Sequence, residues 1–274
     1  MKRLDDVGTR RQVFRAVAAG AASIPLLSCN DSAGTSGNNS AGWGSGGGGS
    51  SGGGGSGSGC CLLKGTSVFA PTGERLIEDL RIGDEVVTLS GPRAIKWIGY
   101  NKYTKDRDRD RRWQDGVMPI RIARLAIDDQ APHSDLYLSP QHCVFINETL
   151  IPVKYLVNGT SIAPAVPSGM AVVEYYHIEF DTHEVFYAEG ALVESFMEED
   201  SEREYFLNFV QYERLYGREH QPRMTPFAPV LRYGNRRQKL VGLARSWASG
   251  VIDVRDPIQV ARDRLARRAE AIPV

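Results

Sequence analysis

The chain carries no excess of either charge: its 33 basic and 33 acidic residues cancel. Without a broad electrostatic field it has nothing to draw in nucleic acid or anionic lipid, and no nucleic-acid partner is expected. Long apolar runs are lacking too. The N-terminal stretch 16–27, at roughly a dozen residues, is too short to cross a bilayer as a helix. Cysteine is scarce: Cys29, Cys60, Cys61 and Cys143 stand at irregular spacing with no CxxC pair. Neither a zinc site nor a small disulfide scaffold is therefore expected, and no metal or other cofactor is implied. Glycine is abundant but concentrated. Residues 29–59 are nearly all Gly, Ser and Asn, a composition that cannot bury enough apolar surface to offset chain entropy. One folded body after residue 60 is the simplest count.

The first 29 residues read as an address. Arg10 and Arg11, followed by one spacer and two apolar residues, resemble a twin-arginine export signal, and Leu26-Leu27-Ser28-Cys29 resembles the lipobox at which bacterial lipoproteins are cut and acylated. The alternative is an ordinary charged leader with an incidental Cys29. On the first reading the partners are the export machinery and lipoprotein-processing enzymes. A lipid on Cys29 would then hold the chain at the bacterial cell envelope, on the periplasmic or cell-surface side. Residues 30–59 would be a flexible tether.

Beyond residue 60 the sequence shows short β-type runs between turn residues. Period-two alternation predicts strands over 67–70, 75–80, 85–89, 94–100, 119–125, 135–138, 143–146, 150–156, 175–180, 184–188 and 192–196. Many short strands with no helical period between them predict an all-β body. The alternating Lys/Asp/Arg run 105–112 predicts a solvated loop. Past residue 196 the pattern changes. Tyr205, Phe206, Phe209, Tyr212, Leu215 and Tyr216 have helical spacing bounded by Gly217, and 224–230 reads as an extended connector. Asp256-Pro257 opens a basic helix bearing Ile258, Val260, Ala261, Leu265 and Ala269. The helices of this extension, 197–274, are expected to pack on the β-body, with a partner-binding tail as the lesser alternative.

Cys61 opens Cys61-Leu62-Leu63-Lys64-Gly65-Thr66 directly after the Gly/Ser tract, and Ser139-Pro140-Gln141-His142 ends a later apolar run. A thiol at the first position of a folded domain can attack the peptide bond before it. A hydroxyl with a histidine three residues on can hold and protonate that bond. With the segment from Gly73 to Val86 and the stretch His183-Glu184-Val185-Phe186-Tyr187-Ala188-Glu189-Gly190, these form four ordered blocks. The blocks resemble those of the Hint superfamily, which contains the inteins and the hedgehog autoprocessing domains. The match is closest to its bacterial Hint-2 branch, with Ser-Pro-x-His in the second block and Ala-Glu-Gly in the last. The resemblance runs from Cys61 to about Ser195 and places the domain at 60–196.

It implies a pseudo-symmetric, horseshoe-shaped all-β fold and a self-processing reaction. Attack by Cys61 on the carbonyl of Cys60 would convert their amide to a thioester. His142 would protonate the Cys61 nitrogen, Ser139 would orient the amide, and His183 would assist resolution with Asp181 tuning its protonation. His133 and His177 match no block position and read as structural. Cys143, next to His142 on an extended strand, should face the core. In an oxidising compartment Cys61 could be held in a disulfide with Cys60 or Cys143.

The sequence also departs from the pattern. Inteins end in His-Asn, where this chain has Glu194-Ser195. With no asparagine to cyclise, complete splicing is not expected. Hydrolysis of the thioester or its transfer to another nucleophile remains, and cleavage would free the domain from its anchor. Two other readings stay open at this level: a non-catalytic, lipid-anchored binding module, and a cysteine peptidase acting in trans.

Overall fold

The computed structural model describes residues 60–105, 113, 116–198, 202–217, 224–231 and 256–272. The chain divides into two units, 1–52 and 53–274. Arg10, Arg11, Cys29, the Gly/Ser tract and most of the charged run 105–112 lie outside the described residues.

The described part is mostly β, in two sheets, with few helices. Its strands in chain order are β1 (Leu62–Leu63), β2 (Ser67–Ala70), β3 (Gly73–Leu76), β4 (Glu85–Thr88), β5 (Gly91–Ala94), β6 (Trp97–Thr104) and β7 (Ile120–Ile122). They continue as β8 (Leu136–Leu138), β9 (Cys143–Ile146), β10 (Thr149–Pro152), β11 (Ile162–Pro164), β12 (Val172–Glu179), β13 (Val185–Ala188) and β14 (Ala191–Glu194). One sheet has the order β11-β7-β8-β1-β12-β6. The other runs β10-β9-β14-β13-β2-β3, with the β4–β5 hairpin joined to β13.

Turn chemistry sets these boundaries. Gly65, at φ 87°, lets the chain reverse after β1. That turn is closed by the Thr66 hydroxyl donating to the Leu63 carbonyl at 2.6 Å and by the Gly65 N–H donating to Glu78 at 2.8 Å. The Ala-Glu-Gly signature is itself a hairpin loop: Glu189 and Gly190 both have positive φ between the paired Ala188 and Ala191.

Several expected strands are cut short, that over 119–125 to Ile120–Ile122 among them. The run 75–80 is β3 followed by a 3-10 turn, Ile77–Asp79, that carries Ile77 into the core. The run 150–156 likewise ends at Pro152 and becomes a 3-10 turn. The strand expected over 94–100 begins at Trp97, because the main chain of Ile95 is bonded to the Gly83–Asp84 turn instead of the sheet. β1, β5 and β11 are too short or too polar for periodicity to reveal.

α1 (Phe209–Tyr216) and α2 (Pro257–Ala271) follow. On α1, Tyr212 meets the buried Trp97 edge-on at 5.3 Å between ring centroids, and Phe206 before it does so at 5.4 Å. Asn208 accepts from the Tyr100 N–H and donates to the Ile98 carbonyl. Beneath them lies a buried charge cluster in which Arg203 forks onto Glu179 at 2.8 and 2.9 Å, and Lys96 joins that carboxylate at 3.1 Å. On α2 the Asp256 side chain caps Ile258 N–H, while Ile258, Ala261 and Leu265 enter the main apolar core. No helix among the described residues is long and apolar enough to cross a membrane.

Candidate functional site

β1 is a central strand, and its register builds the site. Leu62 pairs with Leu138 on one side and with Tyr176 on the other. Both pairings are antiparallel, so one residue earlier Cys61 stands opposite Ser139 and, across the other edge, opposite His177. The Cys61 N–H donates to Ser139 Oγ at 2.8 Å, and the Ser139 N–H donates to the Cys61 carbonyl at 2.9 Å. Here a side-chain hydroxyl holds the amide nitrogen.

Ser139 and His142 are the first and fourth residues of a β-turn, closed by the His142 N–H donating to the Ser139 carbonyl at 3.0 Å. Pro140 occupies the second position, where its fixed φ favours that turn. The Ser-Pro-x-His spacing thus folds hydroxyl and imidazole into one place. The chain before β1 docks on the same turn, with Cys60 Sγ donating to the Gln141 carbonyl at 3.4 Å. The His142 ring is fully buried, and its proton affinity is pushed down to about 3, first by burial and then by His183. The Cys60 main chain acts in the opposite direction and favours a proton on the ring, placing its carbonyl beside the imidazole though short of hydrogen-bond geometry.

His177, which matches no block and was expected to be structural, lies against His142 with ring centroids 5.2 Å apart. It too is fully buried and held neutral, by burial first and then by His142 and His183, with the main chain of Ser195 and Glu194 acting the other way, though short of hydrogen-bond geometry. No ring nitrogen of His142 or His177 reaches a hydrogen-bond partner among the described residues. The available signal was period two: Tyr175, His177 and Glu179 share one buried face of β12. Tyr175 and Tyr103 both interact with Cys61. Burial raises each phenol, Tyr103 to about 12, so both stay protonated beside the thiol.

His183 is buried too, and its influence reaches both rings of the pair. Its Nδ1 accepts from the Phe227 N–H at 3.0 Å, which leaves the proton of the neutral ring on Nε2. Glu194 Oε2 lies 3.8 Å from that nitrogen, while Glu194 Oε1 accepts the Cys143 N–H at 2.7 Å. The carboxylate beside His183 is therefore that of Glu194. Asp181, expected in that role, is exposed on the turn before it. The carboxylate reaches His183 from β14, across a hairpin, not from two residues upstream. Ser195 is taken up in main-chain work: its hydroxyl accepts from Glu184 N–H at 2.9 Å.

Cys143 packs with Leu150, Val185 and Phe227, in a cluster separate from that of Cys61. Cys60, Cys61 and Cys143 are all thiols. Among the described residues no three His, Cys, Asp or Glu side chains are grouped to hold a metal ion.

A comparison with curated proteins finds no match. Among solved structures the chain is similar to the gp41-1 intein, at 18% identity over 50% of this chain and 98% of that one, with a TM-score of 0.33. It is also similar to a bacterial intein-like domain from Clostridium thermocellum, at 12% identity over 49% and 98% of the two chains, with a TM-score of 0.36. A DnaB intein from Synechocystis sp. PCC 6803 is similar at 10% identity over 51% of this chain and 100% of that one, with a TM-score of 0.36. The family model described as Hint domain (Hint_2) matches residues 60–200, just over half of the chain. With a terminal cysteine, a Ser-Pro-x-His turn and a closing β-hairpin brought together inside that span, the chain belongs to the Hint domain family.

Proposed function

We propose that this is a self-processing domain that breaks its own Cys60–Cys61 peptide bond by an N-to-S acyl shift, without full splicing. The observation that carries the reading is the buried 2.8 Å hydrogen bond from the Cys61 N–H to Ser139 Oγ. It fixes the amide nitrogen that must leave, next to a histidine whose ring adjoins the carbonyl that must be attacked.

In the first step the Cys61 sulfur bonds to the Cys60 carbonyl carbon, the C–N bond breaks, and the thiol proton ends on the Cys61 nitrogen. His142 starts neutral, as an acceptor of that proton must. Burial makes its cation a strong acid, so the proton passes on to the amine and does not stay. Water then adds to the thioester, leaving a carboxylate on Cys60 and restoring the Cys61 thiol. His183, with the Glu194 carboxylate 3.8 Å from its Nε2, is the residue assigned to assist this second step. Glu194-Ser195 offers no side-chain amide to cyclise, so the segment after residue 195 stays attached. Export and lipidation at Cys29 are proposed on the sequence of residues 1–29 alone, and with them an envelope location from which cleavage would release the domain.

The test follows the intact mass of the full-length chain over time, beside Cys61→Ala and His142→Ala, with and without hydroxylamine to intercept a thioester. The expected result is a fragment beginning at Cys61, faster with hydroxylamine and missing in Cys61→Ala. A chain that stays whole under every condition would overturn the proposal in favour of a non-catalytic binding module.

A further inference from the structure

Two thiols converge on one main-chain oxygen. Cys60 Sγ lies 3.4 Å from the Gln141 carbonyl oxygen, and Cys143 Sγ lies 3.8 Å from the same atom. The sulfurs can be no farther apart than the sum of those two distances. Cys143 is fixed at the start of β9, whereas Cys60 is half-buried at the entry to the domain. A thiol is a weak hydrogen-bond donor, so the contacts to this carbonyl do not by themselves hold the two side chains apart. Cys61, by contrast, is packed among Trp97, Tyr175 and Phe196, in a different cluster from Cys143.

We infer that Cys60 and Cys143 form a disulfide, and that this bond, not one to Cys61, is the redox-sensitive cross-link of the domain. Cys60, the more exposed of the two, attacks a small-molecule disulfide of the glutathione class and forms a mixed disulfide. Cys143 then displaces the second thiol. Two S–H bonds are lost and one S–S bond forms, while two electrons and two protons leave with the reduced oxidant. Cys61 keeps its thiol, so the site remains competent.

The consequence concerns release, and it rests on the cleavage proposed above. Cys60 is the last residue of the upstream piece. Once the Cys60–Cys61 bond is hydrolysed, the cross-link from the Cys60 side chain to Cys143 still joins the two pieces. Severing and parting become separate events, the second requiring a reductant.

The cross-link is tested independently of cleavage. Full-length chain carrying Cys61→Ala, which cannot form the thioester, is incubated with oxidised glutathione, blocked with N-ethylmaleimide and mapped without reductant. A Cys60–Cys143 linked peptide is expected, absent from a chain that also carries Cys143→Ser. Glutathione retained on Cys60, or a Cys29–Cys60 link, with Cys143 alkylated, would overturn the inference. The consequence is tested on the chain with Cys61 intact, oxidised and then treated with a phosphine, which reduces disulfides without intercepting a thioester as a thiol would. Fragments should hold together until the phosphine is added, and should part without it in Cys143→Ser. Fragments that part unreduced while Cys143 is present would sink the tether. A chain that never cuts leaves the mapping result to decide the cross-link by itself.

Discussion

The main-chain N–H of Cys61 and the side-chain hydroxyl of Ser139 form a buried hydrogen bond of 2.8 Å across 78 residues of sequence. A second bond in the opposite sense, from the Ser139 N–H to the Cys61 carbonyl, locks the register. The hydroxyl can therefore be removed without unpairing the strands. Ser139→Ala should slow cleavage by about 10²-fold while the fold persists, and Ser139→Thr should retain it. Fragment formation followed by intact mass reads the rate, with circular dichroism as the check on folding. Equal rates for Ser139→Ala and the parent would remove the hydroxyl from the mechanism.

Two buried neutral histidines make stability fall in acid. The unfolded chain binds protons on these residues below about pH 6.5. The folded chain refuses them, His142 until about pH 3 and His177 by the same desolvation. Stability is thus complete above about pH 6.5 and declines below it, by about 1.4 kcal/mol per pH unit for each histidine. Urea midpoints at pH 7 and pH 5 should separate accordingly, and His142→Gln should reduce the separation by the share of one proton. Midpoints that do not move with pH would mean that the rings are hydrated or already charged.

His177 and His142 both bury ring nitrogens that lack hydrogen-bond partners among the described residues. A purely structural imidazole would be missed on removal; one kept for chemistry at the expense of stability would not. His177→Leu is expected to raise stability by about 1 kcal/mol and to slow cleavage. Thermal melts and fragment kinetics on the same preparation separate the two roles, since lower stability with unchanged cleavage would return His177 to the core.

Gly99 stands opposite His177 on β6, and a methyl group there would lie 2.7 Å from the Phe206 ring. Gly99→Ala should therefore push Phe206 off the sheet and destabilise the domain by about 1–3 kcal/mol. Hydrogen exchange should show the loss first in α1 and the residues around Phe206. Uniform exchange across the domain would argue against a local origin.

Arg203 is the main partner of the buried Glu179 carboxylate, which among the described residues keeps Lys96 when it is lost. Removing Arg203 leaves the buried Glu179 with one cation in place of two and takes this cation from Glu198 as well, so Arg203→Met should cost about 3–5 kcal/mol. The double change Arg203→Met with Glu179→Gln should recover part of that loss in chemical denaturation. No recovery would show that the guanidinium stabilises through its contacts with Phe196 and Tyr212 instead.

Whatever depends on neighbours along the chain was legible in the residues alone. Alternation announced an all-β body, Pro140 fixed the turn that joins Ser139 to His142, and Asp256-Pro257 marked the start of α2. The four blocks, being local strings, carried the family. Which distant residues share the site depended on how the strands pair. His177 stands opposite Cys61 because β1 is paired on both edges, and a two-residue strand leaves no periodic trace. Glu194 displaced Asp181 as the carboxylate beside His183 because a hairpin brings β14 back alongside it. Turns and alternation are written in adjacent residues, whereas strand register is set by long-range packing of both faces, so the residues that matched no local pattern became visible only once the strands were paired.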